Sequence, residues 1–314
     1  MTARLEIAPH PPFRLDLTTW ALRRRPHNAI DRWDASTYRR VVTIDGDPVA
    51  LSVTQNGPAN LPRLSVRLTG RSIKRSDQLG ARTALDGLLG LTVDLSSFAT
   101  MAATDPLLAP LAGRMRGLRP PRFASVFEAL VNGVACQQLS LAVGIHLLNR
   151  LTANYGQQVP DHRAGQHAFP GPDEIAALEP NELKRLGFSA NKARTIIEIA
   201  RANVTGRLDL EGLETFDDTG VRERLTSLRG IGRWTAEYVL LRGLGRLHVF
   251  PGDDVGAHNK LRRLFGLDTP LDYETVQELV ARWQPYAGVV YFHLLLDSLA
   301  QAGLVAAPEA ISMG

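Results

Sequence analysis

The chain has 314 residues, of which 44% are hydrophobic and 22% are charged. This composition predicts packed globular domains rather than disorder. No apolar run approaches the ~20 residues that span a bilayer, and the N-terminus lacks the apolar segment of a secretory signal, so we expect a cytoplasmic protein without a membrane partner. The single cysteine, Cys136, excludes an internal disulfide, a cysteine-ligated zinc site and a four-cysteine iron–sulfur cluster.

The positive charge is concentrated near the N-terminus. Residues 1–120 have a balance of +7, whereas residues 121–314 have a balance of −3. Arginine outnumbers lysine 32 to 4, which suits phosphate binding but also fits codon bias. The charge therefore permits a nucleic-acid partner without requiring one. The basic residues 23–25, together with Arg39 and Arg40, could contact a DNA backbone, but a solvated face is the simpler expectation.

Residues 1–95 have the pattern of a small antiparallel sheet. Residues 41–44 and 49–54 lie on either side of an Asp-Gly-Asp-Pro turn, which predicts a hairpin. Residues 64–68 alternate between apolar and polar and predict a further strand. We therefore predict an N-terminal antiparallel sheet domain over residues 1–95.

From about residue 96 the pattern becomes helical. The fold class predicted is mostly α with a small α+β part, made of a helical lobe over 96–225 and a third segment over 226–314 whose C-terminal helices pack back on the core. The predicted helices lie at two places within 123–151, at 181–186, 190–203, 218–227, 233–241 and 255–265, and within 274–282 and 289–300.

The most informative segment is Leu228-Arg229-Gly230-Ile231-Gly232-Arg233-Trp234-Thr235-Ala236, where two glycines flank one aliphatic residue between two helices. Glycine tolerates positive φ, so the chain can reverse sharply there and bare N–H groups at the start of the second helix. Those groups and the helix dipole suit an anion such as a DNA phosphate. Ile231 is expected to fill the core between the helices. An ordinary turn between helices is the alternative.

Eighteen residues beyond Gly232, the turn Phe250-Pro251-Gly252-Asp253-Asp254 places paired carboxylates before a helix. An aspartate at this position caps the helix, and capping alone is a sufficient explanation for it. The helix N–H groups also stabilise the ionised carboxylate. Asp254 is therefore a candidate anion as well as a cap.

These segments resemble the helix–hairpin–helix (HhH-GPD) DNA glycosylase superfamily, and within it the bacterial 3-methyladenine DNA glycosylase II type of alkylation repair. The resemblance extends to residues 127–140 and to Leu186-Gly187-Phe188 with Lys192-Ala193, while residues 1–95 match only loosely. It implies base flipping and hydrolysis of the N-glycosidic bond in double-stranded DNA that contains damaged bases, by a monomer associated with the nucleoid.

The resemblance also assigns roles to residues. Asp254 would be the catalytic carboxylate, with Asp253 as the second choice. Trp234 stands where bifunctional relatives have a nucleophilic lysine, which implies hydrolysis by water without lyase activity. The residues implied to hold the DNA phosphate are Leu228, Gly230, Ile231, Gly232 and Thr235.

The same resemblance implies no cofactor and no metal bound by side chains, although hairpin carbonyls could hold a monovalent cation. Gln138, or else Leu139, would be the wedge that fills the gap left by the flipped base. Trp234 and Tyr238 would form an aromatic base pocket, with core packing as the alternative. Leu295 stands near the position of a tryptophan in close relatives, which bears on substrate range.

Two functions of different classes remain open at this point. The first is a monofunctional glycosylase that excises alkylated, 3-methyladenine-like bases; within the same class, oxidised or deaminated bases are an alternative substrate. The second is a non-catalytic helix–hairpin–helix protein that only binds DNA. The Asp254 turn and the additional N-terminal domain favour the first.

Overall fold

The computed structural model describes residues 1–159 and 166–305. These residues form a five-stranded antiparallel sheet and fourteen α-helices, which confirms the predicted fold class. The strands are β1 (Thr2–Ile7), β2 (Arg32–Asp34), β3 (Thr37–Ile44), β4 (Asp47–Asn56) and β5 (Arg63–Thr69). The helices are α1 (Leu15–Arg23), α2 (Arg75–Leu89), α3 (Ser96–Thr104), α4 (Leu108–Arg114), α5 (Val126–Cys136), α6 (Leu141–Tyr155), α7 (Pro172–Ala176), α8 (Pro180–Arg185), α9 (Ala190–Val204), α10 (Asp218–Thr226), α11 (Arg233–Arg242), α12 (Val255–Phe265), α13 (Tyr273–Ala281) and α14 (Ala287–Gln301). None of these described helices is long and apolar enough to cross a membrane.

The sheet has the strand order β1-β5-β4-β3-β2, with every neighbouring pair antiparallel. Strands β3 and β4 form the predicted hairpin, and β5 is the further strand predicted at 64–68. The interpretation of residues 1–95 as strand-rich overlooked α1 and α2. The inner face of the sheet carries Tyr38, Val53 and Leu64, which are fully buried in the core shared with helices α1, α2 and α5.

The predicted helices beyond residue 120 are present at nearly the expected bounds. Side-chain caps explain several of their starts, because an oxygen at the N-cap satisfies a free backbone N–H. Ser125, Ser140 and Ser189 accept hydrogen bonds from the third residues of α5, α6 and α9. Asp217 caps α10, one residue before the predicted start.

Packing crosses the predicted divisions at 95 and 225. Helices α3 and α4 share a core with α12, α13 and α14, in which Phe98, Leu108 and Trp283 are buried together. Helix α1 contributes Leu22 to the sheet core but also packs against α14 through Leu17. The division into 1–95, 96–225 and 226–314, whose last nine residues lie outside the described part of the chain, stays a prediction.

Buried arginines contradict the expected solvated basic face. Arg23 and Arg24 are each only 5% exposed, and Arg40 is 1% exposed. Because side chains alternate along a strand, Arg39 points outward while Arg40 points into the interior. There Arg40 donates to Asp31 Oδ1 at 2.7 Å and to Glu128 of α5. This buried ion pair network joins the sheet to the helical core.

Candidate active site

A cleft of about 1060 Å³ opens where four parts of the chain meet. They are the turn at 137–140 between α5 and α6, named here the wedge turn; the turn at 227–232 between α10 and α11, named the hairpin; the start of α12; and the side of α14 that carries Tyr291 and Leu295. The structure therefore brings together residues that are more than 150 positions apart in the sequence. Of the predicted site residues, those lining the cleft are Gln138, Leu139, Gly230, Trp234, Tyr238, Asp253 and Asp254.

The hairpin reverses at its first glycine. Gly230 has φ +82°, and a Cβ at this position would lie 2.3 Å from Thr195 Oγ1, so both the backbone and the space demand glycine. Gly232 has φ −103° and ψ 179°, an extended conformation open to any residue. Of the two glycines, only Gly230 therefore uses the positive φ that glycine tolerates. Ile231 is 5% exposed and packs in the core between the helices, as expected.

The two hairpin glycines offer a matched pair of variants. We expect Gly230→Ala to lower the free energy of unfolding by about 2–4 kcal/mol, because the positive φ and the contact with Thr195 both oppose a Cβ. Gly232→Ala meets no atom within 4 Å and is expected to cost about 0.5 kcal/mol. Urea denaturation of both variants checks this difference. Equal losses would contradict the assigned geometry.

The start of α11 leaves backbone N–H groups without a side-chain cap. Gly232 is its N-cap and has no side chain to accept their hydrogen bonds, and Gly230, Gly232 and Arg233 are exposed to solvent. Unsatisfied N–H groups and the positive end of a helix dipole attract anions. The hairpin can therefore bind an anionic oxygen through its backbone.

Two hairpin carbonyls already accept hydrogen bonds within the chain. The carbonyl of Leu228 accepts from the N–H of Ile231, and that of Gly230 accepts from Gln137 Nε2 at 3.0 Å. Gln137 also donates to the hydroxyl of the buried Thr235 at 2.9 Å. This side chain links the wedge turn directly to the hairpin. The monovalent cation at the hairpin carbonyls stays a prediction.

Asp254 caps α12 and also faces the cleft. Its Oδ1 accepts from the N–H of Ala257 at 2.8 Å. Its Oδ2 accepts from the hydroxyl of Tyr291 at 2.9 Å and from Trp234 Nε1 at 3.4 Å. The cap thus immobilises one oxygen of a half-buried carboxylate, while two aromatic donors orient the other. Capping and a position in the cleft, treated as alternatives above, occur together.

Asp253 has a different environment. It receives two hydrogen bonds from Arg233, at 2.7 and 2.9 Å, and the guanidinium stacks on the ring of Tyr273. A bidentate pair of this kind neutralises the carboxylate and fixes its orientation. Of the two adjacent acids, Asp254 is therefore the one without a salt bridge among the described residues.

The turn that holds these acids is supported from below by Glu237, a residue that sequence reasoning missed. Its carboxylate accepts from the N–H of Gly252 at 3.0 Å and from the hydroxyl of Tyr273 at 2.6 Å. Burial raises the pKa of Glu237 above its usual value. A Cβ at Gly252 would lie 2.5 Å from Gln277 Nε2, so glycine allows the turn to pack closely.

Trp234 and Tyr238 stack with ring centroids 5.3 Å apart, one helical turn apart on α11. Trp234 is half-buried and faces the cleft, whereas Tyr238 is 3% exposed and also packs near Phe123. Trp234 is therefore accessible from the cleft, whereas Tyr238 is mainly a core residue at its base. The role of the pair as a base pocket stays a prediction. Leu295 lines the same cleft.

Arg24 lies beneath the aromatic pair. It donates to the hydroxyl of Tyr238 at 2.8 Å and to Asn132 Oδ1 at 2.7 Å. It occupies the C-cap of α1 with φ +61°, a conformation that is uncommon outside glycine. The N-terminal region thus contributes directly to the cleft, and not through a solvent-exposed basic face.

The wedge turn presents its side chains to solvent. Gln138 has φ +53° and is exposed, and Leu139 is 43% exposed although it is apolar. Lys192 of α9 holds the turn from behind by donating to the carbonyls of Ala135 and Gln137, at 3.0 and 2.6 Å. A positive φ is uncommon outside glycine, and Lys192 stabilises the backbone of the turn that adopts it. Cys136 is half-buried at the cleft wall.

Burial shifts the pKa values of two groups that line the cleft, Tyr291 and Lys260. Burial and the adjacent Asp254 charge raise the pKa of Tyr291 well above its usual range, so its hydroxyl stays protonated and donates. Burial lowers the pKa of Lys260, which lines the same cleft. Within residues 1–159 and 166–305 no cluster of side chains suits a metal ion.

Comparison with known proteins identifies the family. Residues 131–285 match the model of the HhH-GPD superfamily of base excision DNA repair proteins. A DNA-3-methyladenine glycosylase 1 of Schizosaccharomyces pombe is 34% identical over 163 residues, which are 51% of this chain and 67% of that protein. The chain belongs to the HhH-GPD superfamily. The resemblance predicted from the sequence is therefore confirmed.

Other HhH-GPD relatives cover more of the chain. A DNA-3-methyladenine glycosylase of Bacillus subtilis is 33% identical over 64% of this chain and 66% of its own length. The 3-methyladenine DNA glycosylase structure from Archaeoglobus fulgidus superposes with a TM-score of 0.83 at 27% identity, covering 96% of this chain and all of that one. The sequence matches to three bacterial relatives span between 42% and 66% of the length of each relative, which is less than two thirds.

Arg24 and Tyr291 of this HhH-GPD site were not predicted as site residues from the sequence. Arg24 and Tyr291 reach the cleft from segments 214 and 37 residues away from their partners, Tyr238 and Asp254. No local pattern marks either residue.

Proposed function

We propose that this protein is a monofunctional DNA glycosylase of base excision repair that removes alkylated, 3-methyladenine-like bases. Its partner would be double-stranded DNA containing such bases, bound by a monomer in the cytoplasm. The relatives described above are named DNA-3-methyladenine glycosylases. One observation carries the proposal: Asp254 is oriented by Tyr291 and Trp234 inside a cleft whose two edges are the hairpin and the wedge turn.

The chemistry follows from these positions. A base inside a duplex must leave the stack to be reached, at a cost of a few kcal/mol. The exposed wedge turn, through Gln138 or Leu139, would fill the gap, while the hairpin N–H groups hold the backbone phosphate. Cleavage of the N-glycosidic bond builds positive charge on the sugar, and the fixed Asp254 anion stabilises it. The same carboxylate can orient or deprotonate the attacking water.

The base pocket supports a preference for electron-poor bases. Trp234 offers an aromatic face at the cleft, and such faces attract cationic rings formed by alkylation. Position 234 of α11 is a tryptophan and not a lysine nucleophile, and a tryptophan cannot form a Schiff base. The reaction would therefore stop at an abasic site.

The decisive experiment is excision by the purified protein from duplexes that each carry one modified base. We expect release of 3-methyladenine and 7-methylguanine, with hypoxanthine and 8-oxoguanine released more slowly or not at all. Heating the products with alkali should cleave the strand, whereas untreated products should remain intact because no lyase step occurs. Strand cleavage without alkali would contradict the hydrolytic mechanism.

The remaining alternatives give distinct results in the same assay. Preferred release of an oxidised or deaminated base would show that the enzyme acts on that class of substrate instead. Duplex binding without release of any base would favour a silent DNA-binding protein in which Asp254 serves only as a cap.

A further inference from the structure

The outer face of the N-terminal sheet carries a transverse row of arginines. In register across the strands, Arg32 of β2 pairs with Arg39 of β3, Arg39 with Ser52 of β4, Ser52 with Arg67 of β5, and Arg67 with Arg4 of β1. Directly paired residues point to the same face, so four guanidinium groups follow one line across the sheet. With strands about 4.8 Å apart, the line is roughly 19 Å long.

Without a bound anion, the charges of this row destabilise the sheet. Like charges directly opposite on neighbouring strands destabilise a sheet, and this occurs at two of the four pairs, Arg32 with Arg39 and Arg67 with Arg4. Burial and the charge of Arg39 lower the pKa of Arg32. Of the four arginines of the row, only Arg39 has a carboxylate of a described residue within 4.0 Å, that of Asp34. Arg4 and Arg67 are exposed and are available to an external anion.

Three arginines of the row, Arg4, Arg39 and Arg67, line a shallow depression of about 370 Å³. Its other polar residues carry hydroxyl groups, except for one carboxylate, Glu6, which accepts from Ser65 Oγ at 2.7 Å. Thr37, Thr54 and Ser65 form the centre of the next row of the same face, and Asp34 and Glu6 stand at its two ends. Hydroxyls and guanidinium groups together suit phosphate oxygens. A protein partner would need an apolar anchor, and among the described residues that line the depression the one apolar side chain, Val66, is 1% exposed. The chemistry therefore favours a phosphate backbone over an acidic protein.

The row faces away from the cleft. Arg39 and Arg40 are neighbours on β3 and point to opposite faces, and Arg40 points to Glu128 of α5, the helix that ends at the wedge turn. We infer that the arginine row is a second DNA-binding surface, which holds the backbone of a duplex segment other than the one in the cleft. The inference rests on the proposed function only in its choice of DNA as the polyanion.

A second contact of this kind has a functional consequence. Two binding surfaces on one protein raise the effective concentration of DNA at each, so the protein can stay attached to one segment while its cleft samples another. Searching a long chromosome for rare lesions would then proceed by transfer between segments.

The test is duplex binding by the full chain with Arg4→Gln and Arg67→Gln combined. The probe is a fluorescent undamaged duplex, and its affinity is measured against NaCl concentration. We expect the slope of log K against log[NaCl] to become shallower by about 1.8, since each lost phosphate contact removes about 0.9. The control combines Arg71→Gln with Arg75→Gln, which removes the same charge from exposed positions outside the row. An unchanged slope, or an equal change in the control, would overturn the inference.

Two further readouts separate the possible failures. Donor- and acceptor-labelled duplexes should be brought together by wild type but not by the Arg4/Arg67 variant, which should retain the wild-type rate of base excision. Absence of excision in both proteins would refute the proposed function and leave the binding result intact. Displacement of the duplex from the row by polyglutamate at equal charge concentration would overturn the assignment in favour of an acidic protein partner.

Discussion

Asp254→Asn is expected to reduce the single-turnover rate of base excision by about 10²–10³-fold, the effect typical of removing one group that stabilises transition-state charge. The amide is neutral and can neither stabilise a cationic sugar nor take a proton from water. DNA affinity should be retained or increased, because a negative charge is removed from a site that faces phosphate. Stopped-time excision assays and duplex binding measure the two quantities.

The substitution preserves the capping role of the residue. Asparagine is as good an N-cap as aspartate, so the hydrogen bond from the N–H of Ala257 can persist. The amide nitrogen cannot accept the hydrogen bonds that Oδ2 accepts from Tyr291 and Trp234, so the free energy of unfolding is measured alongside the rate to separate chemistry from folding.

The neighbouring acid supplies the matched control. Asp253→Asn breaks the bidentate contact with Arg233, which is half-exposed, and we expect a rate reduction far smaller than that of Asp254→Asn. If the two variants lost the same activity, or if Asp253→Asn lost more, the assignment of the catalytic carboxylate to Asp254 would be wrong.

Arg40→Met is expected to have the largest effect on stability, a loss of about 3–5 kcal/mol in the free energy of unfolding. The guanidinium is buried between Asp31 and Glu128, and Tyr38 also donates to Asp31 at 2.8 Å. Removing the cation leaves two carboxylates in the interior without a counter-charge. Arg39→Met, one residue away but half-exposed and, among the described residues, paired only with Asp34, should cost at most about 1 kcal/mol.

The pH dependence of this loss tests its cause. Burial already raises the pKa of Glu128 with Arg40 present. Without Arg40 the carboxyl should bind its proton still more tightly in the folded state than in the unfolded one. The folded variant is then favoured at low pH, so the difference from wild type should shrink as pH falls from 7 towards 5. Denaturant titrations at several pH values that show a constant difference would point to lost packing instead.

Local patterns predicted the parts of the fold that local physics determines. The Asp-Gly turn of the β3–β4 hairpin, the serine caps and the glycine-bounded helices beyond residue 180 all have short-range signals. Helix α2 was missed because Gly80 and Gly87 interrupt it and lower its helix propensity. Helix α1 was missed because its leucines and threonines also suit a strand.

The candidate site also has parts that local sequence predicts and parts that it does not. The hairpin and the Asp254 turn are each a single short segment, and the resemblance to HhH-GPD proteins gave their roles as predictions. Arg24, Tyr291 and Glu237 depend on tertiary packing, since each has partners on another helix or turn. A run of arginines is ordinarily solvated, and only the surrounding Tyr238 and Asn132 explain why Arg24 is not.

The side chain of Gln137 has a mechanical consequence. Its amide bridges the wedge turn to Gly230 and Thr235, so the element that would intrude into the stack and the one that would clasp the strand cannot shift independently. A duplex that bends enough to contact the wedge turn would therefore contact the hairpin at the same time. Each nucleotide would then be tested in a single concerted step, and rigid undamaged duplex would be rejected before any base leaves the stack.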